Sequence, residues 1–259
     1  MAKKFAIANQ KGGVGKTTTT INLGYGLSQN GKKVLIVDLD PQGNLTTSCG
    51  IDSEALKTTL ADAMLEKINL DKFLDPKEYI ISLNDEIDII PSDVGLSGVE
   101  LSLVNTMSRE YILKEILDSV AVNYDYILID CSPSLGMLTV NGLTAADSVI
   151  IPVQAQYLSL KGLEQLLQTI AKIKRQINKS IEIEGLLLTM YNKQTNLSKK
   201  VKESLEISYG EHIKIFNSLI PLSTKAAEAP IAGKSVLEYS PDNIVSLSYK
   251  NLIGEIIND

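Results

Sequence analysis

The chain has 259 residues, 44% of hydrophobic types and 22% charged, with a formal net charge of −6; this balance excludes disordered, collagen-like and coiled-coil classes. Its apolar runs, such as residues 127–129 and 149–151, fall far short of the roughly 20 residues of a membrane-spanning helix. Met1-Ala-Lys-Lys-Phe5 leads into a strand pattern without a secretion leader, so a cytoplasmic protein is expected.

Charge is uneven, with 12 Lys+Arg against 20 Asp+Glu in residues 1–159 and 13 against 11 in residues 160–259, so an anion-binding surface is expected in the second part. Cys49 and Cys131 are too far apart for a zinc or redox motif, and His212 is the sole histidine.

Continuously apolar strands are expected at 5–9, 34–38, 87–91, 126–130, 149–153, 185–190 and 215–221, with helical periodicity between most of them. Strands of this kind are covered on both faces, which predicts an α/β fold: a doubly wound, mostly parallel sheet with helices on both faces. Residues 51–85 are more polar and acidic, with a helical pattern at 59–66 and no clear strand; they read as an insertion at the sheet edge within a single domain spanning 1–259.

After the first strand comes Asn9-Gln10-Lys11-Gly12-Gly13-Val14-Gly15-Lys16-Thr17-Thr18, followed by a helical pattern to Leu27. Strand, glycine loop and helix together form a phosphate loop. Glycines 12, 13 and 15 let backbone N–H groups approach phosphate oxygens, and the helix contributes its positive dipole end. Lys16 is placed to reach the β- and γ-phosphates, the Thr17 hydroxyl to join a Mg²⁺ shell and Thr18 to touch the α-phosphate. Gln10 stands where the usual pattern has glycine, and a second lysine, Lys11, flanks the glycines. This is the deviant Walker A form of a P-loop NTPase.

The second strand ends Val37-Asp38-Leu39-Asp40, with Asp40 at its carboxyl end, where ligands of such sheets bind. Asp40 is a candidate to hold a water against the γ-phosphate or on Mg²⁺, and the deeper Asp38 to brace the loop. Asp130, ending the apolar strand at 126–130, suits contact with Mg²⁺ through water. Either strand alone is equally an ordinary aspartate-capped strand.

With these motifs joined by Ser134-Leu-Gly136, Ile151-Pro-Val-Gln154, Gly185-Leu-Leu-Leu-Thr-Met190 and Glu228-Ala-Pro230, the chain resembles the ParA/Soj partition ATPases of the deviant Walker family that also contains MinD. The resemblance implies a homodimer sandwiching two ATP molecules with Mg²⁺. It implies further that Lys11 of each subunit reaches the other's phosphates and that Lys11, Lys16 and Asp40 are catalytic. It also implies non-specific DNA binding by the ATP dimer at the nucleoid, and slow hydrolysis accelerated by a ParB-type centromere-binding partner. The matched adenine region is Pro221 to Ser223, with Asn192 as a further candidate, and the relatives' glutamate just after the strand expected at 149–153 is Gln156 here. Only two arginines exist, Arg109 and Arg175, neither in a phosphate motif, which leaves Lys11 as the cation for developing charge.

The DNA candidates are Lys193, Lys199, Lys200, Lys202, Lys225, Lys234 and Lys250, lysines suiting sequence-independent phosphate contact. A solvated helix face explains Lys199 to Lys202 equally well. The alternative function is a MinD-like membrane-associated positioning ATPase. That needs a basic amphipathic terminal helix, whereas residues after Lys250 carry two acids and no base.

Overall fold

A computed structural model describes residues 2–156 and 159–258. Its strands are β1 (Lys3–Ile7), β2 (Val34–Leu39), β3 (Ile81–Asn84), β4 (Ile87–Ile90), β5 (Tyr126–Cys131), β6 (Ser148–Gln154) and β7 (Glu182–Thr189). They form one sheet in the order β3-β4-β2-β5-β1-β6-β7, parallel throughout except for the antiparallel β3–β4 pair.

Alternation along each strand builds a core on both faces. Val34 and Ile36 face one core with Phe5, Ile7 and Leu128, while Leu35 and Val37 face the other with Ala6, Ile127 and Ile129. The first core is closed by helices Lys16–Gln29 and Ile244–Ile257. The second is closed by helices that include Leu60–Leu70, Ile112–Val120 and Ser159–Gln176. Helix Ile244–Ile257 buries Tyr249, Leu252, Ile253 and Ile256 and packs so closely on Lys16–Gln29 that a Cβ on Gly26 would lie 1.8 Å from Ile253 Cδ1. Most of its apolar positions thus face the core, while Ile244 and Leu247 are exposed.

Two expectations are corrected. Residues 81–84, within the stretch read as lacking a strand, form the edge strand β3. They escaped notice because the strand is only four residues long and half-exposed. Residues 215–221 do not form a continuous strand; isolated bridges join Leu186 with Ile215 and Tyr191 with Pro221, and Phe216 N and Ile220 N donate to the Leu186 and Leu188 carbonyls. Between the bridges, the N–H groups of Asn217 and Ser218 turn away to donate to the Glu255 carboxylate at 2.9 and 2.8 Å, which interrupts a ladder.

Candidate functional site

All parallel strands point their carboxyl ends the same way, and the loop after β1 opens at that end, between its sheet neighbours β5 and β6. Gly13 and Gly15 adopt positive φ, +71° and +90°, which only glycine holds without strain. The loop then enters helix Lys16–Gln29. Gly12 and Gly13 are exposed and Val14 is buried, so the crown faces solvent while its base is anchored.

Lys16 is buried, and its ammonium curls back to donate to the Lys11 carbonyl at 3.3 Å. Burial pulls its pKa down, opposed by the charges of Asp130, Cys131 and Asp40. Thr17 donates its hydroxyl to Asp130 Oδ2 at 2.6 Å, which commits the proton to the carboxylate and leaves the Thr17 oxygen lone pairs for a cation. Asp130 is fully enclosed; burial first, then the charge of Asp38, pushes its pKa up. The two carboxylates are register partners on β5 and β2.

Asp38 is likewise enclosed. Its Oδ2 accepts from Thr46 N and Thr46 Oγ1, both at 2.8 Å, and its Oδ1 from Asp40 N at 3.2 Å. Burial raises its pKa to about 6 despite these bonds. Asp38 thus braces the turn that carries Asp40. Asp40 lies one residue past β2, half-buried, accepting from Gln42 N at 3.0 Å.

Lys11 reaches across its own subunit: its ammonium donates to Gln154 Oε1 at 3.0 Å and Gln156 Oε1 at 3.1 Å. Gln10 extends to Gln165 on helix Ser159–Gln176, so the residue replacing the usual glycine ties the loop to a neighbouring helix.

Beside Gly15 and Thr18 lies a cavity of about 170 Å³, walled by Met190, Pro221, Leu222, Ser223 and Tyr249. Pro221 and Ser223 are on it. Asn192 lies instead on a larger groove of about 1130 Å³ between helix Ile244–Ile257 and the segments around 191–194 and 214–222. That groove collects Lys193 and Lys250 and adds Lys214, which composition and spacing did not single out. Among the described residues its one lining carboxylate, Glu255, is occupied by Asn217 and Ser218. Lys199, Lys200 and Lys202 lie apart on helix Asn196–Tyr209, with Lys202 paired to Glu206 at 3.1 Å. Lys225 is paired to Glu228 at 2.7 Å, and neither it nor Lys234 lines the groove. Cys49 and Cys131 are buried and unlinked.

A sequence-family model described as an AAA domain matches residues 2–183. The sporulation initiation inhibitor protein Soj of Bacillus subtilis is 43% identical over 256 residues, covering 99% of this chain and 98% of its own. The chromosome partitioning protein ParA of Caulobacter vibrioides is 42% identical over 255 residues, covering 98% of this chain and 93% of its own. The chain belongs to the ParA/Soj family of partition ATPases. A cobyrinic acid a,c-diamide synthase from Mycobacterium smegmatis, solved with a bound ATP analogue and magnesium, superposes with TM-score 0.85 at 31% identity, covering 100% of this chain and 95% of that one.

Two side chains of this ParA/Soj protein that grip the loop were not singled out from the sequence. Asn9 donates to the Pro152 carbonyl at 2.7 Å and accepts from Lys11 N at 3.0 Å. Thr189, at the carboxyl end of β7, donates to the Val14 carbonyl at 2.8 Å. Both partners are remote in sequence, and only the ordering of β6 and β7 beside β1 brings them together.

Proposed function

We propose that this chain binds Mg-ATP in the loop of residues 11–18, closes into a homodimer around two nucleotides, and in that state adheres to DNA without sequence preference at the nucleoid. A ParB-type partner accelerates slow hydrolysis and so releases the dimer. The observation that carries the nucleotide reading is the Thr17–Asp130 contact at 2.6 Å within a glycine loop opening at the carboxyl end of β1. Oxygen donors converge there, and a hard divalent cation takes such ligands.

Thr17 would hold Mg²⁺ directly, with Asp40 and Asp130 acting through water. When bound, the ion offsets charge developing on the phosphates. Lys16 neutralises the β- and γ-phosphates, the N–H groups around Gly13 and Gly15 surround them, and Thr18 meets the α-phosphate. Asp40, half-buried, orients a water toward the γ-phosphate. The cavity of about 170 Å³ contacting Gly15 and Thr18 takes the adenine against Pro221 and Ser223.

Lys11 has a further part to play. In the free subunit it rests on Gln154 and Gln156, two neutral amides that hold a cation less tightly than a triphosphate does. Exchange onto the partner's phosphates supports closure. The groove of Lys193, Lys214 and Lys250 suits a phosphodiester backbone. A membrane-bound role finds less support: Val245, Tyr249, Leu252, Ile253 and Ile256 of helix Ile244–Ile257 are packed on the core, its exposed Ile244 and Leu247 are followed by no base after Lys250, and no described helix is long and apolar enough to cross a membrane.

The test is a DNA titration with Mg-ATP, Mg-ADP or no nucleotide at two salt concentrations, beside an anionic-liposome control. Binding to DNA only with Mg-ATP, weakening steeply with salt, is expected. Nucleotide-independent DNA binding, or retention on liposomes instead, contradicts the reading.

A further inference from the structure

The Val14–Gly15 peptide is the pivot of the loop. A peptide plane is rigid and carries its C=O and N–H on opposite sides, so whatever holds the Val14 carbonyl outward turns the Gly15 N–H inward. Gly15 itself does not impose this orientation. A peptide flip changes the following residue's φ, and glycine accepts either sign; the observed +90° is one of two accessible states.

Thr189 selects between them. Its side chain is buried and its hydroxyl spans 175 positions in sequence to reach the Val14 oxygen at 2.8 Å. Its backbone is already committed, pairing with Gln154 in the sheet and accepting from Ala155 N at 3.2 Å. The side chain also abuts Gly15, whose Cβ would lie 3.8 Å from the Thr189 methyl.

We infer that Thr189 is a positioning residue of the phosphate loop, its hydroxyl fixing the Val14–Gly15 peptide so that the Gly15 N–H faces the phosphates. This rests on the nucleotide-binding reading above. Without the hydroxyl, the buried Val14 carbonyl loses its partner and the peptide is free to turn, which removes a donor from the phosphate cradle and sets a buried acceptor against ligand binding. A donor to phosphates present in both ground and transition states supports affinity more than turnover.

The test compares Thr189→Val, which keeps the shape, with Thr189→Ser, which keeps the hydroxyl. Mg-ADP affinity is measured by calorimetry, the ATP KM and kcat by steady-state kinetics, and exchange of the Gly15 amide in the nucleotide-free chain. The valine variant is expected to bind Mg-ADP about tenfold more weakly, with raised KM, little-changed kcat and faster Gly15 exchange; the serine variant stays within about threefold of wild type. Wild-type affinity in the valine variant, or an equal loss in both, overturns the inference while leaving the nucleotide reading intact. If the valine variant does not fold, the serine variant decides: near-wild-type affinity supports the hydroxyl's role and a tenfold loss overturns it. A wild-type chain that does not bind Mg-ADP overturns both readings.

Discussion

Gly12 sits at the exposed crown of the loop, and a Cβ built on it meets nothing within 4 Å. A valine there is tolerated by the subunit itself and intrudes only on something arriving from outside. Gly12→Val is therefore expected to bind Mg-ATP yet remain monomeric in light scattering; an ATP-dependent dimer of normal mass would remove Gly12 from the interface. Asp130 makes a second prediction at this scale. Its folded pKa is raised by burial and by Asp38, so ionised Asp130 costs stability, and that cost grows as pH rises above the ordinary carboxylate value of about 4. Asp130→Asn should stabilise the nucleotide-free protein at pH 8 and lose the advantage toward pH 4, while weakening Mg-ATP binding. Urea unfolding across this range checks it, and a pH-independent difference would contradict it. The glycines and lysines of the loop stand out in the sequence because they fall within eight consecutive residues after an apolar strand, and the structure places them at the carboxyl end of β1. Thr189 does not, since it reaches the Val14 carbonyl only because β7 lies next to β6 beside the loop.

Among the elements, most of the parallel sheet was legible because its strands are apolar on both faces, as in β2, where every residue is buried. The edge was not. β3 reads Ile81-Ser-Leu-Asn84 with alternate residues exposed, a pattern shared with many loops. The expected strand at 215–221 failed for a different reason: Phe216 N and Ile220 N do bond to Leu186 and Leu188 carbonyls, but Glu255 captures the N–H groups between them. Glu255 on helix Ile244–Ile257 thus holds a bent segment that walls both the smaller cavity and the groove through Pro221 and Leu222. Glu255→Ala leaves Asn217 and Ser218 without this acceptor and is expected to cost about 1–3 kcal/mol in urea unfolding. An unchanged midpoint would show that solvent replaces it.

For the molecule as a whole, a net charge of −6 coexists with a groove holding three lysines, so the proposed DNA attachment is expected to be local and salt-sensitive. Lys193→Glu with Lys250→Glu should abolish ATP-dependent DNA retention at moderate salt while leaving ATPase activity without DNA unchanged; retained binding would shift the interface to the lysines of helix Asn196–Tyr209. Dimer closure is proposed from family resemblance; within the subunit the Lys11 ammonium donates to Gln154 and Gln156. The most direct measurement of its proposed role mixes Lys11→Ala with Asp40→Ala, each nearly inactive alone. If Lys11 acts across the dimer, a mixed dimer contains one complete site, the nucleotide held by the Lys11→Ala subunit meeting the partner's lysine, and an equimolar mixture recovers up to about a quarter of wild-type hydrolysis. If Lys11 serves its own subunit's nucleotide, no site in the mixture is complete and hydrolysis stays at the level of the separate variants, contradicting the shared-nucleotide mechanism.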